Sequence, residues 1–251
     1  MIKIKTSQEI EIMKTGGHML AETLFAVLKE VKPGVSELEI DKMAEEKILS
    51  LGGEPGFKKV PGYHHTICIS TNDVVVHGIP TDYRFKKGDV VGIDCGVYYK
   101  GFHTDMAETV IAGGTTDKKG VDKFLKTGKI ALERAIERAV IGNRVGNISQ
   151  TIEQIVTGAG YGVVENLIGH GVGRDLHEDP EVPGMLFIDI GRTPRLTEGM
   201  TIAVEIIYNM GSGEVVQDRD GWTIRSEDGS MSGLFERSLA ITKDGPLILT
   251  K

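Results

Sequence analysis

Cysteine is nearly absent: only Cys68 and Cys95 occur in 251 residues, in separate strand-like segments and without C-x-x-C spacing. That excludes a disulfide framework and a zinc knuckle, and it predicts two reduced core thiols. Long apolar runs are missing too. None approaches the ~20 residues needed to span a bilayer, so membrane insertion is not expected. The opening Met1-Ile-Lys-Ile-Lys-Thr6 lacks the apolar core of a secretory signal, which predicts a chain that begins here and stays in the cytosol. Positive charge is in deficit, 29 Lys and Arg against 36 Asp and Glu for a net charge of −7. Phosphate binding needs a basic face, so nucleic acid is excluded as the main partner. No Pro-, Ser- or charge-rich linker interrupts the chain, and no heptad calls for association. We therefore expect one monomeric domain over residues 1–251.

What the chain does have is glycine, 33 residues that gather around polar positions rather than in a low-complexity tract. Gly169, Gly171 and Gly173 around His170 point to backbone packed closely about a site. Thr6-Ser-Gln-Glu9 and Ser36-Glu-Leu-Glu39 have the form of capping boxes. Apolar residues at helical spacing then predict helices over roughly 7–31 and from Leu38 to Leu51. Segments 66–70, 90–99 and 102–112 are rich in β-branched and aromatic residues and read as strands of an antiparallel sheet. The order recurs, with helices expected over about 117–140 and 148–157, Gly158-Ala-Gly160, then strands. We read this as a weak duplication: an α+β chain with pseudo-twofold halves of roughly 1–112 and 117–251 and a site between them.

The strand segments carry acids that do not belong there. Asp94 and Asp105 sit at nearly mirrored positions about a Lys100-Gly101 turn, which predicts that they face each other. Asp is a poor strand former, and like charges directly opposed across strands repel. Two such aspartates require a cation or a shared proton, unless one points to solvent or the register slips. His170 ends a strand between glycines, and His177 follows in His177-Glu-Asp-Pro180. A dinucleotide-binding loop does not fit these glycines, because no helix follows to receive a pyrophosphate. Glu205 and Glu236 each interrupt an apolar run. A lone glutamate of this kind is accounted for by pairing with arginine, and Arg237 adjoins Glu236. Taken together, however, four strand carboxylates and one imidazole form an oxygen-rich set. It suits two divalent ions about 3.5–4 Å apart better than a closed, sulfur-rich zinc site.

At this level of detail the chain resembles a type I methionine aminopeptidase of the compact bacterial kind over essentially its whole length. The resemblance rests on Asn72-Asp-Val-Val-Val-His-Gly-Ile-Pro80, Asp94 with Asp105 eleven residues on, Gly169-His-Gly-Val-Gly-Arg174 with His177-Glu-Asp-Pro180, Glu205 and Glu236. It implies a pita-bread fold, helices covering a curved antiparallel sheet in two pseudo-symmetric halves. It also implies a dinuclear exopeptidase that removes initiator methionine from nascent chains, with the ribosome as an expected partner. Asp94, Asp105, His170, Glu205 and Glu236 would bind two ions (Co, Mn, Fe or Zn), Asp105 and Glu236 bridging, with the substrate's free amine on one of them. Glu205 would shuttle protons, His177 would stabilise the oxyanion, and His77 would contact the amide nitrogen or the leaving product. Tyr63, Cys68 and Trp222 would wall the methionine pocket. Three positions depart from the family pattern: Ile206 for proline, Arg237 for histidine, and Leu176 for an aromatic residue. Arg237 would draw Glu236 into an ion pair, and Leu176 would widen the pocket. Two other readings remain: a proline-specific relative such as prolidase, which usually carries a large N-terminal domain, and a non-catalytic module that has kept the fold.

Overall fold

A computed structural model describes all residues 1–251. Four helices carry the chain's two helical pairs: α1 (Ser7–Leu28), α2 (Glu37–Ser50), α3 (Val121–Glu137) and α4 (Val145–Gly158). In the first half the strands are β1 (Glu54–Pro55), β2 (Ile67–Thr71), β3 (Val74–Val76), β4 (Val90–Tyr99) and β5 (Phe102–Ile111). In the second half they are β6 (Gly162–Val163), β7 (Gly169–Gly171), β8 (Glu178–Val182), β9 (Thr201–Asn209), β10 (Val215–Gln217), β11 (Ile224–Ser226), β12 (Ser232–Thr242) and β13 (Gly245–Ile248).

Both anticipated capping boxes form. Thr6 and Ser36 accept from the backbone N–H of Glu9 and Glu39, whose carboxylates reach back to the cap N–H groups. Helix ends are shorter than the apolar period implies. After Leu28 the chain makes i→i−3 bonds, Glu30 to Val27 and Val31 to Leu28, and Pro33 disfavours helix at Lys32. Helix α3 starts at Val121 rather than near 117, because Gly120 enters at φ 83°, outside the helical region.

Every strand pairing is antiparallel. One sheet is built on β4, with β5 on one edge and β1 and β2 on the other. The larger sheet runs β13-β12-β9-β7-β8, with β6 also on β9. A small sheet, β10-β11-β3, completes the topology. Strand alternation then decides what each face does. On β4, Val91, Ile93, Cys95 and Val97 pack with Leu20, Leu24, Ile40 and Ile48 of α1 and α2. On β9 and β12, Ile202, Val204, Ile206, Tyr208, Phe235 and Leu239 pack with Phe124, Ile148 and Ile152 of α3 and α4. Each such side chain removed from water contributes about 1.5–3 kcal/mol, so the register is strongly held. A one-residue slip would bury the acids beneath the helices. Cys68 and Cys95 are buried and free.

The two sheets meet at β5 and β12 without a backbone ladder. Ser238 Oγ accepts from the Asp105 N–H (2.9 Å) and donates to the Asp105 carbonyl (2.8 Å). Reciprocally, Thr109 Oγ1 donates to the Leu234 carbonyl (2.7 Å) and accepts from the Leu234 N–H (2.9 Å).

Candidate active site

The Lys100–Gly101 turn has positive φ at both residues (47° and 89°), as a tight two-residue hairpin requires. It pairs Tyr99 with Phe102, so Asp94 lies opposite Ala107 and Asp105 opposite Gly96. The face-to-face expectation is thus corrected. The two aspartates are diagonal neighbours on one face, and diagonal carboxyls still reach each other; here each perturbs the other's ionisation. The directly opposed acidic pair lies elsewhere. Glu205 on β9 faces Glu236 on β12. Sequence reasoning did not find this pairing, since nothing local ties the two strands together.

Strand β7 inserts His170 beside them, opposite Ala203, which places the imidazole diagonal to Glu205. Its glycine neighbours are demanded by close approach. A Cβ on Gly171 would lie 2.1 Å from the Asp179 carbonyl oxygen, and one on Gly169 would lie 2.5 Å from the Ala203 oxygen. His170 Nδ1 is 2.8 Å from the Gly171 carbonyl. That oxygen can only accept, so Nδ1 carries the proton and Nε2 presents a lone pair. Nε2 is 3.4 Å from Glu205 Oε1.

Asp105, His170 and Glu236 are buried, with one ligand atom from each within 4.8 Å of the others. Burial pushes the Asp94 carboxyl up to about 7. It raises Asp105, Glu205 and Glu236 well above the carboxylate range, and mutual repulsion adds to the rise. Burial also lowers His170 to about 4, so the ring is neutral at pH 7. Arg237 does not compensate this charge as anticipated. Alternation turns it to the helix face, where it donates to Glu108 (2.7 Å) and to the carbonyls of Ala107 and Glu236.

Asp94 Oδ1 and Glu236 Oε1 are buried with no hydrogen-bond partner. Two orphaned oxygens, a lone pair directed at a carboxylate and an oxygen-rich donor set with one imidazole fit divalent cations well.

All five of these residues, with His77, His177, Tyr63, Cys68 and Trp222, line one cavity of about 130 Å³. Phe57, Val60 and Leu176 complete its apolar side; of these, Phe57 and Val60 carried no signal in the sequence, being apolar residues of a short connection. Tyr63 donates to the Ile67 carbonyl (2.8 Å) and accepts from Cys68 Sγ (3.1 Å), which ties its hydroxyl to β2. Its ring meets Trp222 edge-on at 5.1 Å. His77 has φ 56°, a conformation non-glycine residues rarely hold. His177 packs edge-on against His170, ring centres 4.4 Å apart. A larger surface hollow of about 660 Å³ around Val145, Met185 and Phe187 carries no such convergence of titratable groups.

Comparison with known proteins agrees with this geometry. Residues 11–231 match the model of metallopeptidase family M24. A methionine aminopeptidase of Clostridium perfringens is 42% identical over 250 residues, covering 100% of this chain and 99% of that protein. The crystal structure of a methionine aminopeptidase from Thermotoga maritima superposes with a TM-score of 0.96 at 39% identity, each chain fully covered. A prolidase from Pyrococcus furiosus shares the fold at TM-score 0.79 and 25% identity, but only 65% of its length is covered. The pita-bread architecture of these neighbours is that of the present chain, and full-length similarity at this level settles its kinship: the chain belongs to metallopeptidase family M24, grouping with its methionine aminopeptidases.

Proposed function

We propose that the chain hydrolyses the first peptide bond of proteins and peptides that begin with methionine, and that it uses two divalent ions to do so. The observation that carries this reading is the continuity of a small apolar pocket with a cluster of four carboxylates and three histidines. Asp94, Asp105, His170, Glu205 and Glu236 would hold the ions, their identity among Co, Mn, Fe and Zn following supply. Bound there, divalent ions supply Lewis acidity, polarising the scissile carbonyl and bringing the pKa of water toward neutrality.

The remaining chemistry falls to side chains. Tyr63, Cys68 and Trp222, with Phe57 and Leu176, take the methionine side chain. A pocket of this size separates neighbouring side chains by only about 1–3 kcal/mol per methylene. The negative potential of the carboxylates attracts the substrate's free amine, which favours chain termini over internal bonds. Glu205 takes the proton of the attacking water and delivers it to the departing amine. His177 donates a hydrogen bond to the developing oxyanion, and His77 holds the amide nitrogen as it leaves. No helix is long and apolar enough to cross a membrane. A cytosolic monomer working on nascent chains at the ribosome belongs to the same proposal.

The test is release of free methionine from Met-Ala-Ser by chelated protein reloaded with Co(II) or Mn(II), against Pro-linked and N-acetylated controls and Asp94→Asn. Metal-restored cleavage of the unblocked peptide alone, abolished in the variant, supports the reading. Preference for the Pro-linked peptide would replace it with a prolidase-like activity.

A further inference from the structure

His177 and Leu176 enter the cavity from a short turn, Asp175 to Glu178, in which Leu176 packs with Phe57, Tyr63 and Cys68 while His177 belongs to no apolar cluster. Besides the β7–β8 pairing at Glu178, the turn is held by a buried ion pair with the N-terminal segment. Glu178 Oε2 is 2.5 Å from Lys5 Nζ, and the two side chains are only 1% and 3% exposed. The other oxygen, Glu178 Oε1, accepts from the Asp175 N–H (3.2 Å), closing the turn around Leu176 and His177, and lies 3.5 Å from Lys3 Nζ. Lys5 is itself fixed, its N–H donating to the Gly199 carbonyl (2.8 Å) and its ammonium to the Lys3 carbonyl (3.1 Å). Lys3 also pairs with Asp175, and Glu9 with Arg174 at 2.5 Å. The third glycine of the Gly169–Gly173 cluster belongs to the same device. A Cβ on Gly173 would lie 2.3 Å from Lys5 Cε, so a larger residue there would have to push the lysine aside.

A buried ion pair adds little stability over an apolar pair of the same volume, whereas its hydrogen bonds impose direction. The direction imposed here is that of the His177 turn. We propose that Lys5 is a positioning residue for the reaction, acting through Glu178 to hold His177 against the substrate carbonyl. The N-terminal segment is then part of the machinery rather than a lead-in to α1. Lys5 touches neither the cavity nor any of the five metal-binding candidates. This inference rests on the proposed role of His177, and its test separates the two.

The experiment is a double-mutant cycle on Met-Ala-Ser hydrolysis with metal-loaded protein: Lys5→Met, His177→Ala and the double variant, with Lys5→Arg as the conservative rescue. A misplaced general-acid or oxyanion contact costs about 10-fold or more in kcat. We expect Lys5→Met to lose that factor with KM and metal content nearly unchanged, and Lys5→Arg to recover most of it. In the His177→Ala background Lys5→Met should change kcat less than about twofold, because residues acting as a unit are not additive. Equal losses in both backgrounds, unchanged kcat in Lys5→Met, or metal content falling in step with activity would each overturn the proposal. If Lys5→Met does not fold, Glu178→Gln enters the same cycle, since it keeps an oxygen for the Asp175 N–H while losing the charge. Should His177→Ala alone leave kcat intact, the role of His177 fails and the positioning role with it.

Discussion

Divalent-ion binding to this site should be tightly coupled to proton release, and the coupling can be worked out from the cavity. Four carboxyls face one another with no cationic side chain turned toward them, and burial raises all four. Asp94, at about 7, is roughly nine-tenths protonated at pH 6 and one-tenth at pH 8, and burial with mutual repulsion raises the other three as well. Cation binding requires the ionised forms. Loading the chelated protein at pH 6 should therefore release about one proton from Asp94 and further protons from its neighbours, and apparent affinity should climb by about tenfold or more per pH unit while it does so. Titration calorimetry in two buffers of different ionisation enthalpy counts the protons directly; fewer than about one released at pH 6 would refute the burial argument. The same shifts set stability. A carboxyl raised in the folded state stabilises the metal-free protein below its unfolded value near 4, and that contribution is lost as pH rises through the folded value. The melting temperature of the chelated protein should therefore fall from pH 5 to 8. Each ion at about 100 times its Kd adds about 2.7 kcal/mol, or about 5–11 °C for a chain of this size, and the gain should grow with pH.

Other perturbations follow from particular contacts. Arg237→His should change metal Kd by less than about threefold, because Arg237 faces the helices, while lowering stability by about 1–3 kcal/mol as Glu108 is left with Lys129 alone; a tenfold gain in metal affinity would restore the ion-pair view. Gly171→Ala should cost about 3 kcal/mol in urea unfolding, since the new methyl collides with the Asp179 carbonyl on the strand that follows His177. Tyr208→Phe removes the acceptor of the Gly128 N–H and the donor to the Phe124 carbonyl. It should cost about 1–3 kcal/mol with methionine release unchanged, and a neutral result would show that those two groups find other partners.

Both capping boxes and the long strands read over 90–99 and 102–112 were legible because local chemistry determines them. A Ser or Thr followed by Glu three residues later, or an alternating apolar run, carries its own instruction. Asp94, Asp105, Glu205 and Glu236 were legible as anomalies, carboxylates where strands want apolar residues. What could not be read was which acids meet. The direct Glu205–Glu236 opposition depends on β9 pairing with β12 across some thirty intervening residues, whereas the hairpin register hung on the two residues of a turn. The orientation of Arg237 was available in principle: a period of two puts it on the face opposite Glu236. Lys5 gave no signal at all. Its partner Glu178 lies 173 positions away, and a lysine near a chain start is ordinarily a solvated one.

The hydroxyl stitches between β5 and β12 also bear on how the molecule comes together and apart. Each half-sheet can close through hairpins and helices local to it, but Ser238 and Thr109 bridge residues 133 and 125 apart in the chain. Such distant contacts are reached late in folding, because the entropy of closing the intervening loop must first be overcome. Asp94 and Asp105 stand on one bank of this junction and His170, Glu205 and Glu236 on the other, so the acids repel one another only once the banks meet. Divalent ions bound across them would act afterwards as a rivet, slowing the parting of the banks much more than they hasten their meeting.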